Sequence, residues 1–203
     1  MKLKRGVLIV IEGIDGAGKT TQARRLLDKL LKEGFDAVYF REPSDSRWGR
    51  RIKEKAAKPN SLSPEEELDL FQKDRKENVK KNLKPALKSK QVVVLDRYYF
   101  STMAYQGARG VDPVWIQGIN EDFAVIPDLV FILDVEPATG LKRIEDRKRK
   151  DELFEREERL IRVREIFKGI QGENIFHIDG TRSEEDISEQ IARIVLDYLN
   201  NPG

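Results

Sequence analysis

The run Gly13-Ile14-Asp15-Gly16-Ala17-Gly18-Lys19-Thr20 has the composition and spacing of a phosphate-binding loop: interspersed glycines, then a lysine and a hydroxyl residue. It follows an apolar run, Val7 to Glu12, and opens a helix-like stretch at Lys19, the two flanks that such a loop requires. The glycines let successive backbone N–H groups turn inward on phosphate oxygens, and a helix N-terminus adds positive potential. Residues Gly13 to Thr21 are therefore the candidate triphosphate cradle, with Lys19 reaching the outer phosphates and Thr20 a candidate Mg2+ ligand. This chemistry points to a nucleoside triphosphate and leaves the second substrate open.

Three further segments carry side chains suited to a second anionic nucleotide. Arg41-Glu42-Pro43 ends a β-type run, and ligands of open α/β sheets bind at that carboxyl edge. Leu70 to Asn78 reads as helix and puts Phe71, Arg75 and Asn78 on one face by their spacing. A ring with a cation one turn away suits a flat base, although the same pattern also suits a core phenylalanine and a surface arginine. Asp96-Arg97 follows the apolar run Val92 to Leu95. An acid there is placed to hold hydrated magnesium, with Arg97 beside a phosphate; an ordinary surface ion pair is the other reading.

The elements that must position these groups follow from the pattern of short Val/Ile-rich runs alternating with long charged segments, which predicts a parallel sheet covered by helices on both faces. Strands are expected at Val7 to Glu12, Ala37 to Arg41, Val92 to Asp96, Leu129 to Val135 and Asn174 to Ile178. The clearest helices are Lys19 to Gly34, Pro64 to about Lys88, Pro137 to about Lys148, Glu155 to Gly169 and Ser183 to Leu199, with Pro85 expected to kink or end the second.

Composition narrows the choices. The 203 residues suit one domain, 1–203. With 38 Lys and Arg against 36 Asp and Glu, the net charge of +2 gives no global pull toward nucleic acid or membrane, so cations must act locally. The Lys-rich stretch from Lys73 to Lys90 is interrupted by acids and lacks a base-reading motif, so no nucleic-acid partner is expected. Without cysteine there is no thiolate metal site, disulfide or thiol catalysis, and a cytoplasmic setting is compatible. The basic start and apolar run of Met1 to Val10 read as a buried strand, not a signal segment, because Glu12 and the glycine loop follow at once. The apolar runs all fall short of the ~20 residues of a membrane span.

The ordered set EGIDGAGKTTQ (12–22), REP (41–43), LFQKDR (70–75), DRYYFSTMAYQG (96–107) and PDLVFILDVEPATGLKR (127–143) closely resembles the thymidylate kinase family, over nearly the whole chain. The resemblance implies a P-loop NTPase fold with a five-stranded parallel sheet, a mobile helical lid, a homodimer, and Mg2+-dependent phosphoryl transfer from ATP to dTMP. It implies that Phe71 stacks on thymine, that Arg75 donates to the base edge, and that Ser101 and Thr102 lie near the base's other polar positions. Tyr105 would crowd the sugar 2′ position, Arg41 and Arg97 would bind the acceptor phosphate, and Asp15 would help organise phosphate, sugar and metal. Asp96 would sit at the metal with Thr20. The lid falls at about 147–156, where Arg147, Arg149 and Lys150 are candidate catalytic cations beside a plain glycine at Gly16; a solvated charge run is the alternative there.

Two positions depart from the family pattern: Ser44-Asp45-Ser46 replaces glycines and threonine after REP, and Leu153 stands where an arginine is usual. The loop Asp179-Gly180-Thr181-Arg182 is a candidate adenine-side wall, and His177, the single histidine, reads as structural. A kinase for another nucleotide, or a nucleotide-binding regulator without transfer, are the rival readings.

Overall fold

The computed structural model describes residues 3–56, 62–144 and 150–200, with side chains at 3–55, 62–143 and 157–200. In chain order the elements are β1 (Val7–Gly13), α1 (Lys19–Lys32), β2 (Ala37–Arg41), α2 (Arg47–Ala56) and α3 (Pro64–Asn78). They continue with α4 (Lys84–Lys88), β3 (Val92–Asp96), α5 (Tyr99–Gly107), α6 (Pro113–Glu121) and β4 (Leu129–Asp134). Last come α7 (Pro137–Ile144), α8 (Lys150–Gly169), β5 (Ile175–Asp179) and α9 (Glu184–Asn200).

The strands form one parallel sheet in the order β2-β3-β1-β4-β5, the five-stranded α/β fold that the sequence predicts. β1 and β3 are buried at every position and read as unbroken apolar runs until their terminal residues, as central parallel strands should. β2 lies at the edge and is only half-buried. Helix α1 packs on β1, β2 and β3 and against α9, while α5 packs with α8, α5 touching β1 and α8 touching β4. From β1 the chain runs to β2 at one edge, and from β3 it crosses β1 to reach β4 on the other side, so the crevice at the carboxyl ends of β1, β3 and β4 is the topological switch point.

Local chemistry fixes the boundaries. Gly34, at φ 80°, ends α1, and α3 opens on a capping box in which the Ser63 hydroxyl accepts from Glu66 N while the Glu66 carboxylate accepts from Ser63 N, with Pro64 next. The helix expected to run from Pro64 to Lys88 is continuous but changes winding: Val79–Leu83 is a π-helical turn before α4. Pro85 lacks an N–H and its ring would crowd the Lys81 carbonyl, so the wider turn lets the helix pass through the proline. β5 starts and ends one residue later than the apolar run suggests, and β4 stops at Asp134, one residue earlier.

Candidate active site

The phosphate loop leaves β1 at Gly13 with φ 138°, and Gly16 and Gly18 also have positive φ, at 79° and 94°. A Cβ on Gly16 would lie 2.1 Å from the Gly140 carbonyl oxygen, and one on Gly140 would lie 2.5 Å from that of Asp15. The loop is therefore seated directly on the backbone of α7. Lys19 folds back over it, buried, and donates to the Ile14 carbonyl at 2.6 Å. Burial, with Arg97 close by, pulls the Lys19 ammonium down to about 7, opposed by Asp15, Asp96 and Glu12.

Thr20, the second residue of α1, donates its hydroxyl to the Asp96 carboxylate at 2.5 Å, and Tyr39 donates to the same carboxylate oxygen at 3.1 Å. The end of β3 thus meets the start of α1, with a hydroxyl and a carboxylate side by side. Two hard oxygen donors suit Mg2+, which keeps most of its shell as water and phosphate oxygens. No group of three His, Asp or Glu able to cage a metal occurs among the described residues.

Arg97 adopts φ 70°, a left-handed backbone rare for arginine. Its neighbours explain how it is held. Arg97 N donates to the Ile11 carbonyl at 3.0 Å, while Tyr98 N and Ser101 N donate to one oxygen of the buried Glu12 carboxylate at 2.7 and 3.1 Å. The Ser101 hydroxyl donates to the other oxygen at 2.6 Å. Glu12 therefore caps α5 from across the sheet. Burial pushes its carboxyl above the usual range, and these hydrogen bonds together with Arg97 and Lys19 oppose the rise. The guanidinium so presented pairs with Asp15, donates to the Ser101 hydroxyl at 3.1 Å, and lies 5.4 Å from the centre of the Tyr105 ring. Burial works against that guanidinium's charge, but Tyr105, Asp15 and Glu12 outweigh it and raise the pKa. The Tyr105 hydroxyl in turn accepts from Asp15 N at 3.0 Å. Loop, Arg97 and Tyr105 form one contiguous constellation.

A second constellation lies along α3. Arg75 is 1% exposed and is bonded by Glu42, Asn120 and Thr102. One residue earlier, buried Asp74 accepts from Ser44 N at 2.8 Å and from the hydroxyls of Ser44 and Ser46 at 2.5 and 2.6 Å. The serines that replace the family's glycine-rich segment are thus tied to α3. Phe71 is half-buried on the same helix. Arg41 is exposed at the end of β2, opposite Asp96 in register, and lines a groove of about 520 Å³ with Arg24, Tyr39 and Lys81.

The family model for thymidylate kinase matches residues 11–191. The chain belongs to the thymidylate kinase family. Among similar proteins, a probable thymidylate kinase of Archaeoglobus fulgidus is 42% identical across 96% of this chain and 97% of that protein. A thymidylate kinase of Akkermansia muciniphila is also 42% identical, covering 94% of this chain and 91% of its own, and one from Leptospira interrogans is 36% identical over 99% of both.

Within this family member, the expected donor residues Gly13 to Thr21 form one loop and helix start, and Asp15, Arg97, Ser101 and Tyr105 are brought together around it. Arg75 and Thr102 are joined to each other, at 3.0 Å, in a buried network. Arg147 and Arg149 lie outside the described residues, and the side chains of the whole span 147–156, Lys150 included, lie outside them too. His177 is exposed and bonds the Ile170 carbonyl at 2.9 Å, away from the loop. Sequence reasoning passed over Glu12, Glu42, Asp74, Asn120 and Arg143. Arg143, on α7, donates to the carbonyls of Gly16 and Gly180 at 3.4 and 3.3 Å, bridging the phosphate loop and the wall after β5. The signal for it was its place in the segment 127–143, while nothing in the sequence alone marks Asn120.

Proposed function

We propose that this protein transfers the γ-phosphoryl group of ATP to dTMP, giving dTDP and ADP. The observation that carries the reading is the meeting of Lys19, Asp15, Arg97 and Tyr105 at the mouth of β1 and β3, where a triphosphate on the loop faces an arginine suited to a second phosphate.

A phosphate monoester has a second pKa of about 6, so the acceptor at neutral pH is largely a dianion and needs no general base. The obstacle is charge. Two unit negative charges at ~4 Å repel by about 4 kcal/mol at an effective dielectric of 20. Lys19 and the loop N–H groups other than those of Asp15 and Ala17, which are bonded to the Tyr105 hydroxyl and the Ile14 carbonyl, neutralise the donor, and Arg97, with Arg41 at the rim, neutralises the acceptor. Asp15 orients Arg97 and keeps its charge directed into the crevice. Thr20 and Asp96 would hold Mg2+, which when bound adds positive charge at the β- and γ-phosphates. Phe71 stacks on the base, Ser101 and Thr102 lie near its polar edge, and Tyr105 crowds the sugar 2′ position. Residues 147–156 form a lid whose Arg147, Arg149 or Lys150 closes over ATP and excludes water. The chain acts as a single domain, a homodimer, in the cytoplasm; among the described residues no helix is long and apolar enough to cross a membrane.

The test is ADP production from Mg-ATP with dTMP, dUMP, dCMP, dGMP and AMP offered separately. The reading requires dTMP to be best, with some dUMP activity, because one methyl group gives only ~1 to 3 kcal/mol of discrimination. A different preferred acceptor would overturn the base-pocket assignment, and no transfer despite ATP binding would favour a regulator.

A further inference from the structure

Arg75 is a charged side chain with almost no access to water, and its environment is unusually complete. Its Nε donates to Glu42 Oε2 at 2.8 Å, one terminal nitrogen to Asn120 Oδ1 at 2.6 Å, and the other to Thr102 Oγ1 at 3.0 Å. The Tyr98 ring centre lies 5.4 Å from the guanidinium carbon. The partners come from the end of β2, from α5 and from α6, so the plane of the guanidinium is fixed from three directions. Of its five N–H groups, three are engaged in these bonds, which leaves one on each terminal nitrogen for a ligand.

Among the described residues Glu42 is the carboxylate within ion-pair distance of Arg75. It is 3% exposed and is itself held, its other oxygen accepting from Asn78 Nδ2 at 3.1 Å and its backbone N–H donating to the Asp96 carbonyl at 3.0 Å. Asn120, fully buried, is anchored by the Ile116 carbonyl at 2.7 Å. A neutral Asn and a neutral Thr can orient a guanidinium, but only Glu42 also balances its charge.

We propose that Glu42 is a positioning residue that sets acceptor-base specificity through Arg75, holding two donor-only N–H groups where a 4-keto oxygen can accept them and a 4-amino group cannot. This rests on the function proposed above, with Arg75 donating to the base edge as the family resemblance implies. A guanidinium cannot accept, so a cytosine amino group placed against it leaves two donors facing each other, and a site built around a hydrogen bond rejects such an analogue strongly. If Glu42 were lost, the guanidinium would be free to tilt between Asn120 and Thr102, and the geometric part of that rejection would weaken.

The experiment measures kcat/KM for dTMP and dCMP, and KM for ATP, at pH 8 in the full chain carrying Glu42→Gln, Arg75→Met, or both. Glutamine keeps the volume but offers one acceptor in place of two and no charge. The dTMP-to-dCMP preference should fall about tenfold in Glu42→Gln, the scale of one lost hydrogen bond to a charged group. The loss should appear in KM for dTMP, with KM for ATP unmoved. The double variant should show the preference of Arg75→Met and no further loss, because Glu42 has nothing left to position. It also removes both members of a buried pair, so it leaves no orphaned charge and remains informative where the single Glu42 variant does not fold. A folded Glu42→Gln enzyme with the original preference, or a double variant that loses more than Arg75→Met, overturns the proposal. An Arg75→Met enzyme with unchanged preference removes Arg75 from the base site, and the proposal with it, which is a distinguishable result.

Discussion

The phosphate loop and the buried network around Arg75, the proposed donor and acceptor sides, use different materials. One continuous stretch, residues 12–20, supplies the phosphate loop from backbone N–H groups, one lysine and one hydroxyl, and its shape is enforced by glycine dihedrals and by a backbone contact with α7. The network around Arg75, the proposed acceptor wall, has no such stretch. Glu42, Asp74, Arg75, Thr102 and Asn120 come from four separate segments and meet only through buried hydrogen bonds. A backbone cradle recognises any triphosphate because phosphates are alike, whereas a base must be recognised by side chains whose donors are aimed. Recognition of the common group is local, and recognition of the distinguishing group is tertiary.

The comparison predicts that damage to one side should be visible in that side's substrate. Lys19→Ala removes the one side-chain cation of the loop, and kcat/KM should fall about 10³-fold, in the range of losing a preorganised charge at a developing anion. Far-UV circular dichroism should be unchanged, since Lys19 contributes a single hydrogen bond to a carbonyl. Activity within tenfold of the parent would mean that the lid carries the donor charge instead.

The acceptor network predicts a pH dependence of stability. Burial pushes the Glu42 carboxyl up to about 7, against the pull of Arg75 and Asn78 and with Asp74 adding to the rise. Arg75 and Asp74 on α3 and Tyr98 after β3 are the titratable groups that face it. The unfolded carboxyl loses its proton near 4.5, so between about 4.5 and 7 the native state retains a proton that the unfolded state has released. The stabilisation associated with that proton is complete below 4.5 and is lost as pH rises through 7. Relative to Glu42→Gln, the parent's unfolding free energy in urea should drop by up to about 3 kcal/mol between pH 4.5 and 8. A constant difference would place Glu42 in a wetter setting than its 3% exposure indicates.

Gly140→Ala probes the contact that seats the loop. Its Cβ would lie 2.5 Å from the Asp15 carbonyl oxygen and 3.3 Å from the Ile14 side chain, so the loop must move. KM for ATP should rise about tenfold or more, as sub-ångström displacements of positioning groups do, with a smaller change for dTMP. Equal effects on both substrates would show the two sides to be mechanically one.

The same contrast explains what could be read from the chain alone. The loop, Thr20, Asp96 and the strand runs at Val7, Ala37, Val92 and Leu129 are encoded by neighbours in sequence, so spacing and apolar pattern were enough. Arg75 was legible as a cation beside Phe71, but its burial was not, because nothing near it in sequence announces Glu42 or Asn120. Glu12 looked like the polar end of a strand, yet it caps α5 from 86 and 89 residues away. The serines after Pro43 read as a departure from the family pattern, and only the fold shows their acceptor, Asp74, 30 and 28 residues further on.

Those serines give the mildest test, and the one that best separates packing from recognition. Ser46 does two things at once: its hydroxyl donates to Asp74 at 2.6 Å and its oxygen accepts from Trp48 N and Gly49 N at 3.1 and 3.0 Å, which makes it the N-cap of α2. Ser46→Ala removes the cap and one of the three donors on Asp74, and should cost about 1 kcal/mol. For a chain of this size that is a fall in Tm of about 2–4 °C by scanning calorimetry. Ser44 still holds Asp74 through two bonds, so Arg75 stays in place and the dTMP-to-dCMP preference should not change. A lower Tm with an unchanged preference makes the Ser44-Asp45-Ser46 segment a brace for α2 and α3. A changed preference at constant Tm would instead extend the acceptor site across Asp74, and base selection would then be spread over the bonds of both Arg75 and Asp74 on α3.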